Sequence, residues 1–264
     1  MAYRPPSEWT AFPAPDLFCY ARRSVRRYWP RLHAGDGEPL PDDPELLEGW
    51  VAFHNGDFAR AFIAGCTAGH SGSTLANRAA CAYATYLEAD QDKQLALYLH
   101  VAGRAAADAE RQPHNANAHF LYAFALGRYS QHIRVTRALA LGFGSDVKRA
   151  LETALEVQPD HVESCVALGT FHAEIIDKVG PLIGNVAYGA KRETSLAQFT
   201  RALALQPRST LARMEYARAL LMLDGDACQP EARQLWAQAA AQTPVDALDF
   251  LAITQAQAGL PEVF

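Results

Sequence analysis

Nine histidines, five cysteines and a few short glycine runs are the residues of this chain whose chemistry could build a catalytic or metal site. A metal site needs several ligands on one face. His114 and His119 are five apart, and His172 and Glu174 are two apart, so on a helix each pair points to different faces. Glu152 and Glu156 are four apart, the spacing of an exposed, solvated helix face. Gly69-His70-Ser71-Gly72-Ser73 has part of a serine nucleophile elbow. It lacks the closing glycine, and helices rather than a strand precede it, so nothing supports the sharp turn that exposes such a serine. Gly142-Phe143-Gly144 lacks the preceding strand and the Gly-Lys-Ser/Thr ending of a phosphate loop. Cys19, Cys66, Cys81, Cys165 and Cys228 stand singly, with no C-x-x-C pair. That speaks against a disulfide framework or a structural zinc site and suits a reducing compartment. No reaction is specified. The expectation is a protein that is not an enzyme and has no cofactor or metal.

The chain that must position these residues has 264 of them, 50% hydrophobic and 20% charged, as in a packed globule rather than a disordered one. A net charge of -5 argues against nucleic acid as a partner, for which a basic excess is expected. Only Lys93, Lys148, Lys178 and Lys191 among the 24 basic residues are lysines; the other 20 are arginines. With the abundant alanine, this suggests a GC-rich bacterial genome. Met1 to Phe12 contains Pro5 and Pro6 and no apolar run of a secretory signal. No stretch approaches the about 18 apolar residues of a membrane span. A cytoplasmic location is the expectation.

The organisation is repetitive. Glu110-Arg111-Gln112-Pro113, Glu156-Val157-Gln158-Pro159, Ala204-Leu205-Gln206-Pro207 and Ala241-Gln242-Thr243-Pro244 each close an alanine- and leucine-rich stretch with helical spacing. Proline lacks an N–H and disfavours the α region for the residue before it, so each helix stops there. Asp160 and Ser209 are candidate caps of the helices that follow. Aligned on these prolines, three units carry a small residue ten positions on: Ala123, Gly169 and Ala217. Five positions before the proline stand Ala154, Ala202 and Ala239, and three further back Leu151, Phe199 and Trp236. The unit ending at Pro113 departs, with Asp108 and Ala105 at those places. Small residues let antiparallel helices approach closely, while the bulky one fills the groove between successive pairs. An earlier unit fits around Gly49, with Gly56-Asp57-Phe58 as its turn, Ala61 and Ala68 after it, and Ser73 in place of the proline. The result is an all-α solenoid over 44–264 of about five helix pairs, closed by a single helix over Val245–Gly259.

This small-residue and closing-proline pattern resembles the tetratricopeptide (TPR) repeat over residues 44–259. Tyr122-Ala123 followed by Leu126-Gly127-Arg128-Tyr129-Ser130-Gln131 is similar to a segment of the regulator-of-microtubule-dynamics family and its bacterial relatives. The proline spacings of 46, 48 and 37 imply insertions in the third and fourth pairs, which support the narrower resemblance. A more distant resemblance is to the T component of TRAP-type import systems, although this chain has neither export signal nor lipid-attachment cysteine near its start. These resemblances imply the fold and a binding role, and a bacterial-looking composition does not support a microtubule role.

Three segments lie outside the plain repeat. Residues 1–43 read as an N-terminal arm. Within it, 16–32 is expected to be a basic amphipathic helix, with Leu17, Phe18, Ala21, Val25, Tyr28 and Trp29 on one face and Arg22, Arg23, Arg26 and Arg27 on the other. It either contacts an anionic surface or docks on the solenoid. Asp36, Glu38, Asp42, Asp43, Glu45 and Glu48 follow in a proline-rich linker and would partly cancel the arginine field. The insertion from Val179 to Ala190 holds three glycines and a proline, so no regular helix is expected there. Its apolar residues Leu182, Ile183, Val186 and Tyr188 either pack over the groove or meet a partner or a second copy. Leu139 to Ser145 is a candidate for the same role one unit earlier.

In the family resembled, the first helix of each pair lines the concave surface. That implies a groove formed by Trp50, Phe53, His54, Phe120, Phe124, Arg128, Glu163, Val166, Thr170, Glu174, Leu211, Met214, Arg218 and Met222. Aromatic and arginine anchors suit a protein partner, and arginine can hold a carboxylate through two hydrogen bonds. The expected function is an adaptor or scaffold that binds an acidic or C-terminal peptide segment. The alternative is a carrier or sensor of a small hydrophobic ligand, with the insertions closing a pocket.

Overall fold

The computed structural model describes residues 9–133 and 141–263. Among them it is helical throughout, with no strand. A first helix, α1 (Arg22–Leu32), precedes five pairs. The pairs are α2 (Pro44–His54) with α3 (Phe58–Thr67), α4 (Ser73–Tyr86) with α5 (Gln91–Arg111), and α6 (Ala116–Gln131) with α7 (Phe143–Val157). They continue with α8 (Val162–Val179), interrupted by a short α9 (Pro181–Tyr188) before its mate α10 (Arg192–Leu205), and with α11 (Thr210–Asp224) and α12 (Gln229–Ala240). The closing helix is α13 (Ala247–Val263).

The repeat positions pack as their sizes require. Ala123, Ala154, Ala202, Ala217 and Ala239 are buried, and so are Leu151, Phe199 and Trp236. A Cβ added at Gly169 would come within 2.8 Å of the Phe199 ring, so only glycine lets α8 approach α10 that closely. At Gly49 an added Cβ would meet Leu75 at 2.6 Å and Ala64 at 2.8 Å. Ser209 caps α11 by accepting the Ala212 N–H at 3.1 Å. Asp160 does not cap α8; His161 does, because its Nδ1 accepts the Ser164 N–H at 3.1 Å. The same ring turns Nε2 to Asn117 Oδ1 at 3.1 Å, so it is a neutral imidazole with its proton on Nε2, in keeping with burial lowering its pKa.

The helix expected over 16–32 covers only Arg22–Leu32. The Tyr20 backbone is instead held by the Asn55 side chain, N–H to Oδ1 at 2.8 Å and Nδ2–H to the carbonyl at 3.0 Å. The apolar face predicted for it accordingly breaks up: Val25 and Trp29 are buried, whereas Leu17 and Tyr28 are exposed. Arg22 pairs with Glu48 at 2.7 Å and Glu45 at 3.3 Å. Ahead of α1 the chain lies on the first two pairs, with Trp9 stacked on Tyr83 at 4.1 Å and Phe12 buried edge-on to Phe250 of α13 at 5.4 Å.

Residues Pro181–Tyr188 do form a regular helix, contrary to expectation. Pro181 occupies its first turn, where a missing N–H costs nothing, and Gly180 (φ 82) and Gly189 (φ 64) take the positive-φ positions at its two ends. The glycines delimit the helix instead of breaking it. Leu139 and Ala140 lie outside the described residues; Gly142 starts α7 at φ 70.

Candidate functional site

The superhelix curls until α13 touches α2 and α4, so the concave face is narrowed into partly open cavities rather than left as a plain groove. The loop after α1 enters this enclosure. Gly35 accepts the Glu163 N–H at 3.1 Å, and Asp36 and Glu38 follow it inward. Among the described residues the concave face bears two adjoining cavities, of about 410 Å³ and about 240 Å³.

Around the loop, the side chains form one buried polar network. Arg78, in the middle of α4, donates to Glu163 through both guanidinium nitrogens, Nη1 at 2.8 Å and Nη2 at 2.7 Å, and its Nη1 lies 3.1 Å from Asp36 Oδ2. Asn117 donates to the Asp36 carbonyl at 3.2 Å and to Glu38 Oε2 at 2.7 Å. Burial works to raise the Asp36 carboxyl, but Arg78 and His33 overcome it and hold it far below the usual range. Burial and the neighbouring Asp36 charge push Glu38 up to about 8. Asp36 Oδ1 and Oδ2 sit 3.0 and 3.1 Å from His33 Nδ1. His33 Nε2 faces His54 Nε2 at 3.3 Å, and His54 Nδ1 meets Asp246 Oδ2 at 2.8 Å.

The second cavity meets the first at Phe120, Phe124 and Arg128. Arg128 stacks over Phe124 at 5.2 Å, and its Nη2 lies 3.9 Å from Glu215, a loose pairing. Arg218 holds the same carboxylate at 2.8 Å and stacks on Trp236 at 5.0 Å. Glu174 accepts from Gln131 at 2.6 Å and from Lys178 at 3.4 Å. The Thr170 hydroxyl, buried without a partner, also lies on this wall.

Of the expected groove residues, Phe120, Phe124 and Arg128 line both cavities. Phe53 and His54 line the larger one, and Glu174 and Arg218 the smaller, where Tyr188 of the insertion, expected as a partner contact or a cover over the groove, joins them. Glu163 and Leu211, which border both, stand where the family register puts them, as do Val166, Thr170 and Met222 in the smaller cavity. Trp50 and Met214 are corrections. Each is 1% exposed and lines neither cavity. Trp50 packs edge-on to Trp29 at 5.7 Å because α1 covers that face, and Met214 belongs to the core shared with α12. Leu182, Ile183 and Val186 point away from the cavities, at 78%, 60% and 84% exposure. Sequence reasoning missed Arg78, His33 and Asp246. One signal was available, since Arg78 is the sole charged residue in the small-residue helix Ser73–Tyr86.

A helical-hairpin superhelix with small residues at its helix crossings and a lined concave face defines a TPR-like protein. More narrowly, the chain belongs to the family of regulator of microtubule dynamics proteins 1–3, whose family model matches residues 69–258. The fold is similar to that of TTC0263, a thermophilic TPR protein of Thermus thermophilus. The two share 17% sequence identity and a TM-score of 0.55 over 81% of this chain and 97% of that one. A search of curated proteins finds no match. Among the described residues no helix is long and apolar enough to cross a membrane, and no three His, Cys, Asp or Glu side chains gather as metal ligands would.

Proposed function

We propose that the chain is a protein-interaction adaptor that takes an acidic or C-terminal peptide segment on its concave face, with Arg128 and Arg218 as the carboxylate anchors. One observation carries this reading: the concave face already holds an acidic peptide segment, the chain's own Gly35–Glu38, by an arginine, an asparagine amide and backbone hydrogen bonds. A TPR-like face that reads carboxylates in cis has the chemistry to read them in trans. Arg128, with its nearest carboxylate at 3.9 Å, is the cation with capacity to spare. The nearby titratable groups are engaged with one another, which favours a non-catalytic role.

Capture of partners from the native host's lysate tests this reading. Wild type and Arg128→Ala/Arg218→Ala are compared at matched helicity, with bound proteins identified by mass spectrometry. A partner held by wild type and lost by the variant is the expected result. Equal recovery would sink the carboxylate-anchor reading.

The enclosure itself favours a second reading. A cavity of about 410 Å³ falls within the size range of small-molecule sites. Its wall includes Phe53, Tyr86, Leu121 and Leu248. A small hydrophobic ligand carried there should survive gentle purification and appear as an added mass in native mass spectrometry.

A further inference from the structure

The chain Asp36–His33–His54–Asp246 joins three parts of the molecule that are far apart in sequence: the loop after α1, the end of α2 and the residue that leads into α13. Its proton count is fixed by its geometry. Asp36 and Asp246 accept as carboxylates, so His33 and His54 each donate from Nδ1. The two Nε2 atoms, 3.3 Å apart, attract each other only when one of them carries a proton. The closed arrangement therefore holds three of the four possible ring protons, one imidazolium beside one neutral imidazole. A fourth proton would set two N–H groups and two positive charges against each other where both rings are almost wholly buried.

We propose that the His33–His54 pair is an acid-sensitive latch on the concave cavity, holding α13 against the first helix pair while one proton is shared and releasing it when a second arrives. Both rings line the larger cavity, so the seam they close is a wall of it. The latch lies beside a packed apolar contact, in which Ala247 and Leu251 of α13 share one buried core with α2 and α4. Besides it, the Tyr20 hydroxyl donates to the Val245 carbonyl at 2.6 Å, and Phe12 meets Phe250.

Charged and titratable groups face the pair from every side. Asp36 and Glu38 come from the loop, Arg78 from α4, His161 and Glu163 from α8, Asp246 and Asp249 from the start of α13, and Tyr20 from the arm. Burial pulls the His54 imidazolium below its ordinary value, opposed by Asp246. A depressed histidine pKa contributes stability that is present above the ordinary value and lost as pH falls toward the folded value. Below the ordinary histidine value acid therefore opens the latch, while at high pH loss of the shared proton removes the attraction between the two Nε2 atoms. When the seam is open both rings are free to protonate near about pH 6.5, so the open form binds one proton more than the closed form. Opening should become about tenfold more frequent per pH unit below that point.

Hydrogen–deuterium exchange of the full chain, corrected for intrinsic rates, tests the latch from about pH 7.5 to about pH 4.5. Peptides covering the loop after α1 and the start of α13 should lose protection steeply with acid, while those from α8 keep theirs. His33→Gln, which can still hydrogen-bond but cannot take the second proton, should flatten that dependence. Unchanged protection at the seam, loss spread evenly over all helices, or the same slope in His33→Gln would each overturn the proposal. If His33→Gln does not fold, nuclear magnetic resonance of ring-labelled wild-type histidines decides. One imidazole of the pair should stay neutral at about pH 5, and two ordinary titrations near about pH 6.5 would overturn the latch. What the latch does to ligand entry rests on the concave-face reading above. Exchange is measured without ligand, so the latch and the Arg128/Arg218 anchor fail independently.

Discussion

Two arginines on the same concave face live in different surroundings. Arg78 is 9% exposed, gripped by Glu163 through both nitrogens and by Asp36, and it fixes the loop after α1 in place. Arg128 is 26% exposed, lies flat on Phe124 and has its nearest carboxylate at 3.9 Å. The first is fully satisfied by the chain itself, so its chemistry goes into holding the enclosure together. The second donates to Gln131 only at 3.5 Å and lines both cavities. On a repeat surface, the arginine with fewer partners is the one left free to recognise something else.

The largest expected effect breaks this contrast if it fails. Arg78→Met takes the cation from the half-buried Glu163 and leaves the buried Asp36 with His33 alone, and removing one partner of a buried pair costs about 3–5 kcal/mol. Arg128→Met gives up a loose ion pair but can keep an apolar contact with the Phe124 ring, and should change stability by less than about 1 kcal/mol. Urea unfolding of both variants measures the difference. Equal losses would mean that the open side of the cavity is as structural as the closed one.

That contrast was only half legible in the sequence. The helix pairs were visible because each proline, small residue and bulky residue acts within one unit or between neighbours, at spacings that recur. Ala154, Leu151 and Pro159 announce a helix end and its packing face without reference to the rest of the chain. The second cavity was partly visible through the family resemblance: with the first helix of each pair on the concave face, Arg128, Glu174 and Arg218 follow from helix register. The buried seam follows from no local spacing, because residues 36, 78, 163 and 246 meet only after the superhelix has closed on itself. Asp36 and Glu38 read as part of a solvated acidic linker, since nothing in their own segment announces the arginine and asparagine that receive them. In α9 a local rule misled. Three glycines suggested a loop, yet two of them serve as the helix's end residues, and the third, Gly184, lies where an added Cβ would be 3.1 Å from Ile175.

An intermediate effect sharpens the picture of the closed side. With its carboxyl pushed up to about 8, Glu38 is bound to a proton in the folded chain over a pH range where the unfolded chain has lost it. A raised carboxyl pKa contributes stability present below the ordinary carboxylate value and lost as pH rises toward the folded value. Glu38→Gln holds the neutral form permanently and can still accept from Asn117. It should leave stability near about pH 4 unchanged and raise it by on the order of 1 kcal/mol near about pH 8. Thermal unfolding across that range measures it, and a variant that is less stable at every pH would show that the charge on Glu38 is wanted by Arg78.

The smallest effect concerns the open side's outer edge. Leu182, Ile183 and Val186 stand on α9 with most of their surface in solvent, while Tyr188 of the same helix packs on Gly144 and lines the smaller cavity. The helix is thus anchored from its inner face and its glycine caps, and its outer apolar face adds nothing to the core. Leu182→Ser with Val186→Ser should shift stability by no more than about 0.5 kcal/mol, whereas Tyr188→Ala, which empties contact with α7, should cost more. Chemical denaturation of the two variants separates the inner face from the outer. A large loss from the serine pair would mean that the exposed residues are covered in the folded chain, and the boundary between wall and surface would have to move outward.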